Sequence, residues 1–300
     1  MQRWQARAGR FEWPRLGAWW MVVAGLLFAG MGVFVKLGTA RYGGAEMVFY
    51  RSLFGALVVF AAARARGLVM YTPHWGVHVR RSLAGLGGML LLFYVIGLLP
   101  LATATTLNYT SPLFLVVLSV LVFKERPRPW LVVSALLGFT GVVLLLHPTF
   151  AANQVAAGLL GLASGFCAAI AYLTTGQLGR LGEPAWRIVL YFTLVSTLVA
   201  GAIALVTGFH AISSEGALIL LGLAVCGTLG QLAMTKAYRD GDTLTVGSLA
   251  YSTVVFTALL GLLIWNEEVP LGSWLAMGLV TASGILAARA NSPRAAAIEV

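Results

Sequence analysis

Charge is scarce in this sequence. Asp, Glu, Lys and Arg make up 10% of the 300 residues, against 59% hydrophobic ones; a soluble domain carries about 25% charged residues. So few charges cannot cover a water-facing surface, so lipid must be the solvent for most of the chain. Carboxylates are rarer still, ten in all, and none falls in the middle of an apolar run. Cysteine is nearly absent. Cys167 and Cys226 both sit inside apolar runs, which excludes a disulfide framework or a metal-ligand cluster and leaves two small buried hydrophobes. No polar stretch is long enough to form a ligand-binding or signalling domain. The apolar runs do not alternate with polar residues, which excludes a transmembrane β-barrel.

What is there is a succession of apolar runs, with a mean hydropathy of +0.88. One span of the hydrocarbon core needs roughly 20 residues. Ten fit, at about 17–37, 46–63, 76–98, 102–123, 129–147, 155–178, 185–206, 215–238, 243–264 and 270–289. All are expected to be helices, because lipid offers no partner to an open strand edge. Four arginines precede the first run, and Trp4, Phe11 and Trp13 among them read as an interfacial segment. The run from Leu16 is too long for a signal-peptide core and lacks a clear cleavage site, so it reads as a permanent span. Trp19, Trp20, Trp75, Trp130, Trp186, Trp265 and Trp274 lie near span ends, where aromatic belts form.

The net charge of +10 does not point to nucleic acid, because the basic residues lie between the runs and not on one face. They fit orientation in a membrane. With the N-terminus in the cytoplasm, 17 of the 20 Lys and Arg fall on the inside, and only Lys36, Arg41 and Arg51 fall outside. Both termini are then cytoplasmic.

A repeat is visible. A shift of 142 residues places Gly88 on Gly230, Tyr109 on Tyr251 and Glu125 on Glu267; one further residue brings Pro127 to Pro270 and Gly141 to Gly284. Span four and its exit are thus aligned with span nine and its exit. Five spans is an odd number, so the second half enters the membrane from the opposite side, giving an inverted repeat with a pseudo-two-fold axis in the membrane plane. The expected organisation is a basic segment 1–16, a five-helix unit 17–147, a second unit 153–289 and a tail 290–300. Small residues in Gly161-Leu-Ala-Ser164-Gly165, Gly138-Phe-Thr-Gly141 and Ser283-Gly284 suit close helix packing or sliding between helices.

These residues carry a resemblance. Gly32-Val-Phe-Val-Lys36, Tyr50-Arg51, Tyr109-Thr-Ser-Pro112 and Phe123-Lys-Glu125-Arg-Pro127, followed by Gly138 and Gly141, resemble the EamA-type transporters of the drug/metabolite transporter superfamily. The second half repeats the pattern more loosely as Trp265-Asn-Glu267-Glu268-Val-Pro270, then Gly284, and has no counterpart of Pro112. The resemblance implies an all-α fold of ten transmembrane helices in two inverted five-helix repeats around a central substrate cavity. Within that family the chain is similar to the amino-acid exporters of the YddG kind, which implies a bacterial inner membrane and a small-molecule substrate such as an amino acid, aromatic ones included. No cofactor and no metal is implied, and a monomer is compatible with the sequence.

Polar residues at membrane depth are costly and are candidate functional groups. Span four supplies Thr103, Thr105, Thr106, Asn108, Tyr109, Thr110, Ser111 and Pro112. Pro112 lacks an N–H and is expected to free the carbonyl of Asn108 for a zwitterionic substrate; the plainer reading has the hydroxyls bonding their own helix. Span nine supplies Ser248, Tyr251 and Ser252, with Thr243, Thr245 and Thr253 alongside. Tyr94, Tyr172, Thr174 and Gln231 are expected to complete the cavity or to pack as ordinary core. Lys36, Glu46 and Arg51 form an outer set, either a gate or a structural ion pair. With no carboxylate inside a span there is no proton relay of the usual kind, which favours facilitated transport over proton coupling. Other substrates, such as a nucleoside, a vitamin or a drug, stay open, as does a non-transporting scaffold. An enzyme is disfavoured: Asp240-Gly-Asp242 has no second aspartate at depth, and no histidine lies at depth to act as a base.

Overall fold

A computed structural model describes residues 14–96, 98–99, 101–123, 128–146, 155–265 and 271–290. The basic N-terminal segment with Trp4, Phe11 and Trp13, the turn residues Gly97 and Pro100, His147, Glu125 and Pro127, and Glu267, Glu268 and Pro270 lie outside the described residues, as do the side chains of Thr103, Thr105 and Trp265.

Twelve helical segments are described: α1 (Pro14–Gly38), α2 (Gly44–Ala65), α3 (Trp75–Ile96), α4 (Leu101–Asn108), α5 (Ser111–Phe123), α6 (Pro129–Leu146), α7 (Val155–Arg180), α8 (Ala185–Thr207), α9 (Ser214–Asp240), α10 (Thr243–Ala250), α11 (Ser252–Trp265) and α12 (Leu271–Ala290). No strand occurs among the described residues. α4 and α5 are the halves of one broken helix, and α10 and α11 are the halves of another, so the twelve segments make the ten expected helices. Six are long and apolar enough by themselves to cross a bilayer, and shorter apolar stretches lie at Thr106–Val122, Pro129–Leu144 and Trp274–Ala287. The exterior is oily, with Leu205 76% and Val206 88% exposed, while Thr, Ser, Gln and Arg side chains are buried. That inversion is what a lipid solvent dictates.

The packing has the symmetry of two five-helix repeats. α1 lies along α9, and α3 lies along α7; these pairs are spans one with eight and three with six, which exchange under a two-fold. α2 lies along α8 and α6 along α12, two pairs that each map onto themselves. The aligned glycines do the same work in both halves. Gly88 lets α3 approach the backbone of Ser164 and Ala168 on α7, and Gly230 lets α9 approach Leu27 and Phe28 on α1. α6 and α12 are tied by a reciprocal pair: the Ser134 hydroxyl donates to the Ser283 carbonyl (3.0 Å), and the Ser283 hydroxyl donates to the Ser134 carbonyl (2.8 Å). In lipid such polar contacts replace the missing hydrophobic drive between helices. Trp19, Trp75, Trp130 and Trp274 are exposed at helix ends, whereas Trp186 is half-buried and stacked under the Arg187 guanidinium.

Candidate functional site

The two breaks in the helices are related by the repeat. α4 ends at Asn108 and α5 begins at Ser111, leaving Tyr109 and Thr110 in the gap; α10 ends at Ala250 and α11 begins at Ser252, leaving Tyr251. The aligned tyrosines meet, with ring centroids 6.2 Å apart. The Tyr251 hydroxyl donates to the Ala135 carbonyl at 3.3 Å, and its ring packs among Val142, Val254 and Val280.

The two breaks do not share a proline. Pro112 sits in the first turn of α5, where a missing N–H costs nothing, and span nine breaks with no proline at all. The Asn108 carbonyl faces Gly165 of α7, where an added Cβ would lie 2.9 Å from the Leu107 oxygen and 3.1 Å from that of Asn108. The Asn108 amide donates to the Ser164 hydroxyl (3.1 Å). Thr110 caps the end of α4 by donating to the Leu107 carbonyl (2.6 Å). Gly161 and Gly165, four residues apart, are thus the seat of the broken helix, and Asn108 holds α4 to α7.

The other predicted residues divide. Tyr172 stacks flat on Tyr238, with centroids 4.6 Å apart and planes at 8°, and lies within electrostatic reach of both Tyr109 and a buried arginine, Arg81. Thr174 returns its hydroxyl to its own helix, as the plainer reading has it. Ser111 and Ser248 are buried, and the Ser248 and Ser252 hydroxyls have no hydrogen-bond partner. Ser252 faces Gly25 of α1. Tyr94 is not brought to this group: it is 60% exposed, on the face of α3 that carries exposed Leu83.

Of the set Lys36, Glu46 and Arg51, the last two turn to different partners. Lys36 is exposed at the end of α1. Glu46 is buried and takes the Nδ1 (2.8 Å) and backbone N–H (3.0 Å) of His210 in the α8–α9 connection. Arg51 points inward: its guanidinium donates to Gln231 Oε1 and to Met89 Sδ, both at 3.3 Å.

Sequence reasoning assigned Arg81 to the orientation charges and left Glu183 at a span end without a role. Glu183 opens α8 as Glu46 opens α2. Its carboxylate accepts from the Thr72 hydroxyl, from His74 Nδ1 (3.2 Å) and from Arg187 Nη1 (2.9 Å). α2 and α8 therefore run side by side, each with a carboxylate at its N-terminus latched to a histidine in the connection after the other. Gly182 (φ 80°) and Gly208 (φ 95°) make the left-handed turns that present Glu183 and His210. Burial alone raises the Glu183 carboxyl, but the hydrogen bonds from Thr72, His74 and Arg187 and the Arg187 charge outweigh it and pull the group down to about 2. A signal for this pairing existed, since Glu46 to Glu183 and His74 to His210 share nearly one offset. Asp242, the other candidate carboxylate, caps α10 by accepting from Thr245 N (2.8 Å). No cluster able to hold a metal occurs among the described residues.

A two-repeat bundle with paired broken helices is a transporter architecture, and comparison with known proteins identifies it. The model of the EamA-like transporter family matches twice, over residues 15–147 and 156–289. The chain belongs to that family. It is therefore a multi-pass membrane transporter. It is 31% identical to the pseudopaline exporter of Pseudomonas aeruginosa over 82% of this chain and 86% of the relative. It is 29% identical to an uncharacterized transporter of Helicobacter pylori, over 89% and 93% of the two chains, and 26% identical to the riboflavin transporter of Vibrio cholerae, over 90% and 92%. A solved crystal structure shares the fold with a TM-score of 0.81, over 91% of this chain and 97% of that one, at 22% identity.

Proposed function

We propose that this EamA-family protein exports small amino-acid-type metabolites, aromatic ones among them, across the bacterial inner membrane by alternating access, with both termini in the cytoplasm. The observation that carries the reading is the meeting of two repeat-related helix breaks at Tyr109 and Tyr251. Half-helix ends within the bundle expose backbone dipoles to a zwitterion, and the stacked Tyr172 and Tyr238 supply an aromatic surface. The similarity to exporters of the YddG kind and the pseudopaline exporter among the relatives support outward movement.

The two latches supply gates for this cycle. Glu46–His210 and Glu183–His74 lie at opposite ends of the α2–α8 pair. Opening one while the other holds exposes the centre to one side only. All ten carboxylates of the sequence lie outside the span interiors, which supports facilitated movement down a gradient. The riboflavin transporters among the relatives favour a second reading, an aromatic vitamin.

The test is efflux from proteoliposomes loaded with radiolabelled phenylalanine, threonine or riboflavin. Phenylalanine and threonine leave faster than from empty vesicles, and Tyr109→Ala slows them while the protein stays monodisperse. Flux of none of the three removes the amino-acid reading, flux of riboflavin alone favours the second, and uphill accumulation driven by an imposed pH gradient removes facilitated diffusion.

A further inference from the structure

Two arginines are buried where lipid surrounds the bundle. Arg51 is 8% exposed and Arg81 2%. A guanidinium brings five N–H donors and cannot shed its charge. Arg51 uses two long contacts, to Gln231 Oε1 and to a methionine sulfur, and its Nε has no partner. Arg81 donates from Nε to Thr175 Oγ1 at 3.3 Å, lies 4.3 Å from the centre of the Phe192 ring, and leaves Nη1 unpartnered. Neither is paired with a carboxylate among the described residues: Glu46 and Glu183 are engaged by histidines at the two ends, Glu215 by Arg41, Asp240 by Arg239, and Asp242 by Thr245.

The two heads are close. Arg81 Nη1 lies against Gly85, where a Cβ would sit 2.6 Å from it, and Arg51 bonds Met89 one helical turn further along α3. Four residues of helix rise about 6 Å, so the two heads reach neighbouring turns of α3. Gly85 and Gly227 have no side chain where the two guanidiniums run, Gly227 making room for Arg51 Nε. Both glycines lie inside long helices, Gly85 in α3 and Gly227 in α9.

Two like charges at this depth, with no carboxylate partner among the described residues and with Arg51 Nε and Arg81 Nη1 unused, cost several kcal/mol that their long contacts to Gln231, Met89 and Thr175 only partly offset. An anion would offset the rest. We infer that Arg51 and Arg81 form the charge-selecting half of the substrate site, and that the preferred substrate is a small organic anion with two acidic groups, of the dicarboxylate class, each group meeting one guanidinium. This rests on the transport reading for its purpose, but the binding site stands on its own geometry. The aromatic amino acids are then poorer cargo than their diacid counterparts.

The test pairs binding with flux, using succinate, glutamate and phenylalanine as probes. Succinate raises the melting temperature of the purified protein in detergent at constant ionic strength, and phenylalanine does not. Arg51→Met and Arg81→Met each weaken succinate binding about tenfold or more, while the melting temperature of the ligand-free protein stays level or rises, because an unpaired charge has been removed. A merely structural arginine predicts the opposite, a lower melting temperature. Should either methionine variant fail to fold, Arg51→Lys and Arg81→Lys keep the charge and retain most succinate binding, and the wild-type comparison of succinate with phenylalanine decides. Succinate binding no stronger than phenylalanine binding, or unchanged in the methionine variants, overturns the inference. Phenylalanine efflux without succinate binding sinks the anion site alone; succinate binding without efflux of any probe sinks the transport reading alone.

Discussion

Replacing Glu183 by Gln removes one charge and almost no volume, and the structure sets the size of the effect. The carboxylate is 3% exposed and collects three side-chain donors, two from the α2–α3 connection and one from α8. Its pKa of about 2, against an ordinary 4.5, corresponds to about 3 kcal/mol of preference for the ionised form in the folded state. A depressed pKa supplies stability that is fully present above the unfolded value, near pH 4.5, and is lost as pH falls toward 2. Glu183→Gln is therefore expected to lower the melting temperature in detergent by roughly 5 °C or more at pH 7. The gap between variant and wild type narrows as pH drops below about 4.5 toward 2, because the unfolded wild type takes up a proton that the folded carboxylate resists. Differential scanning fluorimetry over pH 3 to 8 measures both. A variant that melts with the wild type at pH 7, or a gap that widens on acidification, refutes the assignment of Glu183 as the hub of that latch. The same substitution frees the α2–α3 connection, so flux is expected to become leaky to probes that the wild type excludes, which a calcein-release control separates from vesicle damage.

Gly165→Ala places a Cβ 2.5 Å from the Thr110 hydroxyl and 2.9 Å from the Leu107 carbonyl. The second of these is backbone and cannot swing away, so α4–α5 must lift from α7; a loss of about 1–3 kcal/mol and of flux is expected, read by melting temperature and efflux, and a silent variant would show that the broken helix is not seated there. Ser134→Ala and Ser283→Ala each remove one bond of a reciprocal pair and leave the facing carbonyl with its own helix bond alone. Each is expected to cost about 1 kcal/mol, and the double variant less than twice that. Strictly additive losses in melting temperature would mean that the two bonds do not act as a unit.

The sequence alone determined the solvent, the number of helices and the repeat. Apolar runs of span length leave the backbone no choice but helix, so all ten spans were legible to within a few residues, and identities at one offset were enough to pair Tyr109 with Tyr251. The same pattern could not say where each side chain points. Arg81 follows Arg80 and looks like one more orientation charge, yet 100° of helical rotation turns it inward while Arg80 stays exposed. Pro112 marks the break in span four from the sequence, but the close seat of that break on Gly165 of another helix is not legible there. Glu46 and Arg51 look like partners because they are five residues apart, yet one reaches His210 and the other Gln231. Each of these was decided by tertiary structure for one reason: in lipid a polar group must find its partner inside the protein, and that partner lies on whichever helix is packed alongside, far away in the chain.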